Sequence, residues 1–175
     1  MNPSSVVQLV VMGVSGSGKT TIAALLAKQL GCEMAEADAF HSPANIAKMS
    51  AAIPLEDADR WPWLRDIAAW IRERDRAGRS AVVTCSALKQ AYRDVLRTAS
   101  PRLFFIHLAG TREQIVDRVK RRTGHFMPAS LVYSQFAILE PLTPAERGFT
   151  LDISSTPDAL VETALEAFSS QESGS

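Results

Sequence analysis

The chain has 175 residues, enough for one compact domain with a single apolar core and no need of disulfide or metal staples. Lys plus Arg and Asp plus Glu number 19 each, so no overall field draws the chain to nucleic acid or to an anionic membrane, and any anion site must be local. The two cysteines, Cys32 and Cys85, lie far apart without a CxxC spacing, which reads as a reduced chain with two small buried thiols.

In chain order, the amino-terminal segment carries no Lys or Arg before an apolar run that stops at Gly13, too soon for a signal-peptide core. No later stretch approaches membrane-spanning length, and a cytoplasmic protein is expected. The run Val6–Met12 is predicted as a buried strand. Ile22, Leu25, Leu26 and Leu30 then share one face of a helix that Gly31 can close in a left-handed conformation. A second strand is predicted at Glu33–Ala37. Leu64, Ile67, Ala68 and Ile71 mark a further helix, with Gly78 placed to end it. Its Trp61, Trp63 and Trp70 read as core packing, with Trp61, beside Arg60, the one candidate for ligand contact. Strands are predicted at Ala81–Cys85, Leu103–Leu108 and Phe149–Ile153, and the small polar residues Ser169–Ser175 as a frayed, disordered tail. Residues 1–175 contain no repeat and no linker, so a single domain is expected. Strand alternating with helix argues for an α/β fold, a parallel sheet covered by helices on both faces, with ligands beyond the carboxyl ends of the strands.

Gly13-Val14-Ser15-Gly16-Ser17-Gly18-Lys19-Thr20 is a full GxxxxGK[ST] motif between a predicted strand and an amphipathic helix. Its glycines let successive backbone N–H groups converge on phosphate oxygens, and the helix N-terminus adds partial positive charge. Lys19 is expected to reach the β- and γ-phosphates of ATP as a catalytic cation, and Thr20 to ligate the bridging Mg2+. Residues 13–20 with Thr21 form the expected nucleotide set.

A nucleotide switch would also need a DxxG after a strand and an NKxD. The sole DxxG, Asp75–Gly78, ends a predicted helix, and NKxD is absent. A kinase needs an acceptor pocket, a group to orient or deprotonate the acceptor hydroxyl, and a basic lid. Asp38, after the second strand, is the candidate base or Mg2+ ligand; capping a turn is its alternative role. Arg118, Lys120, Arg121 and Arg122 concentrate charge ahead of Gly124 and His125, reading as a lid over about 118–140. Arg118 and Arg122, spaced i and i+4, are the pair expected on nucleotide; a solvated helix face is the alternative.

The runs GVSGSGKT, DAFHSPANIAKMSAAIPLEDADRWPWL, CSALKQAYRDVLR and GHFMPASLVYSQFAILEPL resemble, in order and spacing, the bacterial gluconokinase family, and span most of the chain from Gly13 to Leu142. The resemblance implies a three-layer α/β/α P-loop fold related to shikimate and nucleoside monophosphate kinases, with five parallel strands in the order 2-3-1-4-5. It implies ATP-dependent phosphorylation of D-gluconate to 6-phosphogluconate by a Mg2+-dependent homodimer. Asp38 and His41 then belong to the acceptor and magnesium side, and Arg60, Lys89 and Arg93 resemble acceptor-binding cations. The segment around His125 and Gln135 looks like the part that closes over the sugar acid, and Ser155, Thr156 and Pro157 resemble the loop passed over adenine. Chemically, one carboxylate and a row of hydroxyls suit an Arg fork with mixed donors and acceptors. Alternatives stay open: Arg60 has Asp57 and Asp59 nearby, Arg93 has Asp94, and His41 can cap a turn. Ala37, Ser42 and Ala52 depart from the family pattern, and all three affect loop geometry only.

Overall fold

The computed structural model describes residues 5–121 and 129–173. Its elements run β1 (Gln8–Met12), α1 (Lys19–Leu30), β2 (Glu33–Glu36), a 3-10 turn (Ala37–Phe40), α2 (Pro43–Ser50), α3 (Asp57–Arg76) and β3 (Ala81–Thr84). They continue through α4 (Gln90–Arg97), β4 (Leu103–Ala109), α5 (Arg112–Arg121), α6 (Ala129–Ile138), β5 (Gly148–Asp152) and α7 (Pro157–Ser173). The strands form one parallel sheet in the order β2-β3-β1-β4-β5, as expected. Val10 at its centre is in register with Val83 on one side and Phe105 on the other.

Alternation along the strands sorts the core into two layers. Leu9, Val11, Phe104, Ile106 and Leu108 pack with Ile22 and Leu26 of α1 and with Leu160, Val161 and Phe168 of α7. Val10, Met12, Val83 and Phe105 face the other way, onto Leu64, Ile67 and Ile71 of α3 and Tyr92 and Leu96 of α4. Both faces of the central strands are thus buried, which is why they read as continuous apolar runs. Trp63 is buried in this second layer, with Trp61 and Trp70 packed partly against it.

Local signals set the helix ends. Gly31 closes α1 at φ 64°, and Gly78 lies just past α3 at φ 70°. Ser42, a departure from the family pattern, caps α2 by accepting from the Asn45 N–H at 3.1 Å, with Pro43 in the first helical position.

The carboxyl terminus corrects the expectation of a frayed tail from Ser169. Helix α7 continues to Ser173 because Phe168, 4% exposed and edge-on to Phe104 at 5.7 Å, anchors it, and Ser169–Ser173 contains no glycine or proline to stop propagation. No helix among the described residues is long and apolar enough to cross a membrane.

Candidate active site

All five strands run the same way, so the connections that leave their carboxyl ends share one edge of the sheet. The glycine-rich loop leaves β1 there. Gly13, Gly16 and Gly18 hold φ values of 148°, 87° and 96°, which side-chain-bearing residues rarely adopt. A Cβ on Gly13 would meet Ser17 Oγ at 2.7 Å and the Leu108 carbonyl at 2.8 Å, and one on Gly16 would meet Val119 Cγ2 at 2.7 Å. The loop is therefore packed as tightly as backbone allows, with α5 lying directly against Gly16. Its Gly13 N–H donates to the Ser86 carbonyl at 3.3 Å, which ties it to the end of β3.

Lys19 folds back over this loop, its Nζ donating to the Gly13 and Val14 carbonyls at 3.0 and 3.1 Å. Ser17 Oγ is buried in the loop with no hydrogen-bond partner among the described residues. A turn of left-handed glycines, an orphaned buried hydroxyl and a lysine at the mouth make a cradle whose donors suit a polyphosphate. Thr20 and Thr21 lie exposed on the first turn of α1. A cleft of about 320 Å³ opens beside the loop, lined by Gly16, Gly18, Thr21, Arg118 and Arg121.

Arg118 lies beside this cleft. Its guanidinium donates to the Ile153 carbonyl at 2.7 Å and more weakly to that of Ser17 at 3.5 Å, so it links the phosphate loop to the end of β5. Arg121 was not singled out from the sequence, although i and i+3 spacing puts it on the same face as Arg118. The preferred partner, Arg122, lies outside the described residues, as does His125. Thr156 and Pro157 open α7 beyond β5: the Thr156 hydroxyl caps the helix by accepting from the Ala159 N–H at 3.3 Å, and Pro157 takes the first helical position.

On the other side of the loop, the 3-10 turn after β2 carries Asp38, solvent-exposed at the same edge. Next to it, His41 stacks on Trp63 with ring centroids 4.3 Å apart and planes 11° from parallel. Trp63 is fixed by its own indole N–H, which donates to the Ala37 carbonyl at 2.8 Å. Burial pushes the His41 pKa down, and the Arg60 charge adds to this against the opposing pull of Asp38, so the ring is neutral at pH 7. Beneath the site the Cys85 thiol is driven by burial up to about 12 and stays protonated.

Arg60 and Lys89 converge from α3 and the start of α4. Arg60 Nη1 donates to Tyr92 Oη at 3.0 Å and lies 3.4 Å from Asp57 Oδ1, while Lys89 Nζ lies 3.5 Å from Asp57 Oδ2. Neither Tyr92 nor Asp57 was chosen from the sequence. Tyr92 sits on the apolar face of α4 and reads as plain core, which its 3% exposure matches, yet its hydroxyl accepts from Arg60 and its ring lies near both cations.

Two expected acceptor residues are engaged elsewhere. Arg93 has an exposure of 0%: Nε and Nη2 grip Glu146 at 2.7 and 3.0 Å, Nη1 donates to the Ala87 and Leu88 carbonyls, and Nη2 also reaches the Pro141 carbonyl at 3.4 Å. All five N–H donors are taken, so Arg93 is corrected from acceptor ligand to structural tie. Gln135 turns to the phosphate loop: its Oε1 accepts from the Ser15 N–H at 2.6 Å and its Nε2 donates to Ser15 Oγ at 3.0 Å. The carboxamide expected over the sugar acid is thereby a clasp between α6 and the loop.

Comparison with known proteins places this arrangement. A family model described as an AAA domain matches residues 9–140. The gluconokinase of Gluconobacter oxydans is 47% identical over 164 residues, covering 94% of this chain and 92% of that protein. The solved structure of a gluconokinase from Sinorhizobium meliloti is 42% identical with a TM-score of 0.87, covering 94% of this chain and 93% of the other. That of a sugar kinase from Janibacter is 57% identical, also with a TM-score of 0.87, over 93% and 94% of the two chains. With a phosphate loop on one side of the sheet edge, a carboxylate and paired cations on the other, and this likeness over nearly its whole length, the chain belongs to the gluconokinase family of P-loop kinases.

Proposed function

We propose that the protein transfers the γ-phosphoryl group of ATP to the terminal hydroxyl of D-gluconate, giving 6-phosphogluconate and ADP. The observation that carries the reading is the opposition, on one sheet edge, of the lysine-bearing glycine loop to Asp38 and the Arg60–Lys89 pair. In phosphoryl transfer the protein contributes positioning and charge neutralisation more than covalent chemistry.

The loop N–H groups and Lys19 bind the β- and γ-phosphates, Lys19 exchanging the Gly13 and Val14 carbonyls for phosphate oxygens. Arg118 and Arg121 flank the cleft beside the loop, where the nucleotide lies. Arg60 and Lys89 take the gluconate carboxylate, which directs the far end of a six-carbon chain toward the loop. Asp38 orients the terminal hydroxyl and receives its proton, and neutral His41, stacked on Trp63 and with Nδ1 3.4 Å from the Asn45 amide nitrogen, offers its Nε2–H as a donor to the polyol. Thr20 and Asp38 are the residues that would hold Mg2+. The ion, when bound, neutralises charge developing on the β- and γ-oxygens. No group of three or more His, Cys, Asp or Glu side chains among the described residues forms a dedicated metal cage, which fits an ion bound mainly through phosphates and water.

The test is ADP release by purified protein across D-gluconate, its stereoisomers and shikimate. Turnover is expected with gluconate at a kcat/KM at least about tenfold above any other acceptor. Brisk turnover with another acceptor and none with gluconate refutes the substrate, and failure to bind ATP refutes the whole reading. Lys19→Ala and Asp38→Ala should each lower kcat by about 10²-fold or more with the circular dichroism spectrum unchanged.

A further inference from the structure

The Arg60–Lys89 pair is held by groups that the proposed chemistry does not use. Tyr92 Oη donates to Asp57 Oδ1 at 2.5 Å while it accepts from Arg60, and both cations lie 5.6 Å from the centroid of the Tyr92 ring. The ring itself is wedged edge-on against Trp61 at 5.5 Å. One carboxylate therefore sits between two cations delivered by different helices, fixed by a phenol whose body is core. Nearby, Lys48 is paired to Asp59 at 2.8 Å, and the exposed Glu56 caps α3 beside them. The Tyr92 hydrogen bond, followed by the nearby Lys89, holds the Asp57 carboxyl below the usual range, so it is ionised wherever the enzyme works.

The trio of two cations and one carboxylate around Tyr92 carries a single net positive charge. We propose that Asp57, held in place by Tyr92, tunes the charge selectivity of the acceptor site, cutting back the advantage that two cations alone would give a doubly charged phosphate over a monocarboxylate in the same position. The inference rests on the proposed gluconate reading and deepens it. Its physical basis is that Coulomb energy is linear in ligand charge: repulsion from Asp57 acts once on a carboxylate and twice on a phosphate dianion. For a half-exposed carboxylate some 6 Å from the ligand charge, one unit of that repulsion changes affinity about tenfold, between the limits of bulk water and a protein surface. Without Asp57 the preference of the two cations for the dianion over the carboxylate would be about tenfold greater.

The probes are D-glucitol, with a neutral hydroxymethyl group in place of the carboxylate, and D-glucitol 1-phosphate, with a dianion there at pH 8. Each is measured as a competitive inhibitor against gluconate, at fixed low salt because exposed charges are screened. In Asp57→Asn the ratio of the phosphate's Ki to the gluconate KM should fall about tenfold relative to wild type, the ratio for glucitol should rise about tenfold, and Asp57→Glu should keep wild-type ratios. Tyr92→Phe retains the ring and should shift both ratios in the same directions by a smaller factor, with a larger effect on gluconate KM than on kcat. It also serves if Asp57→Asn does not fold. Ratios unchanged in Asp57→Asn, or no inhibition of that variant by the phosphate at a hundred times the gluconate KM, overturn the proposal. A wild-type protein that ignores gluconate overturns the substrate assignment instead, and this is seen before any variant is made.

Discussion

Replacing Arg93 with Met separates a structural tie from an acceptor ligand. The substitution keeps an unbranched apolar stem but removes the guanidinium from Glu146, whose side chain is 2% exposed, and from the carbonyls of Ala87, Leu88 and Pro141. Breaking one side of a buried pair costs about 3–5 kcal/mol, softened here because Arg97 still reaches Glu146 at 3.1 Å. For a domain of this size that loss lowers Tm by roughly 6–20 °C. The assay is urea and thermal unfolding alongside steady-state kinetics well below the melt, where KM for gluconate should stay within about threefold of wild type. Arg93→Met combined with Glu146→Leu should cost less than the two single changes together by about 1–3 kcal/mol, because the double variant strands no charge. A variant that melts like wild type but raises KM tenfold or more refutes the reasoning and returns Arg93 to the acceptor.

Two other perturbations follow from geometry already described. Gly16→Ala combines a backbone at φ 87° with a methyl 2.7 Å from Val119 Cγ2, so it should raise KM for ATP at least about tenfold; adding Val119→Ala should recover the steric part and leave roughly 1–2 kcal/mol of backbone strain, read by ATP titration and melting. Burial, with help from Arg93, drives His107 down to about 4, so below the ordinary value near 6.5 the unfolded chain binds a proton that the folded chain refuses. Stability should therefore fall as pH drops from about 6.5 to 4, by up to roughly 3 kcal/mol, with His41 adding in the same direction. Urea midpoints across that window should slope accordingly in wild type and flatten in His107→Phe; a flat wild-type profile contradicts the assignment.

What was legible in the sequence was what is local. The phosphate loop is eight consecutive residues whose backbone demands are written in its glycines, and the two helix terminators Gly31 and Gly78 act within a turn of themselves. The continuous apolar runs announce strands buried on both faces. The illegible parts depend on partners far along the chain. Arg93 reads as a free cation beside Asp94, yet its partner Glu146 lies 53 residues on, and Asp94 is taken by Arg97. Gln135 meets Ser15 across 120 residues. Tyr92 was hidden differently: its position is apolar by helical period, and nothing in that pattern says that one hydroxyl emerges between two cations. The persistence of α7 past Ser169 turns on a single anchored ring, Phe168, against a composition that argues for fraying.

The order of the sheet also shapes how the chain reaches its folded state. The central strand β1 is made first, but Gln8 finds its neighbours in Ala81 and Leu103, over seventy and over ninety residues downstream. At ribosomal speeds of about 5–20 residues per second, this apolar segment waits roughly 4–15 s for its first partner. Distant pairings of this kind also slow the closing of the nucleus. The interval exposes Leu9, Val10 and Val11 to chance association with other nascent chains, so yield on overexpression should improve with slower synthesis or with a holdase that shields this strand.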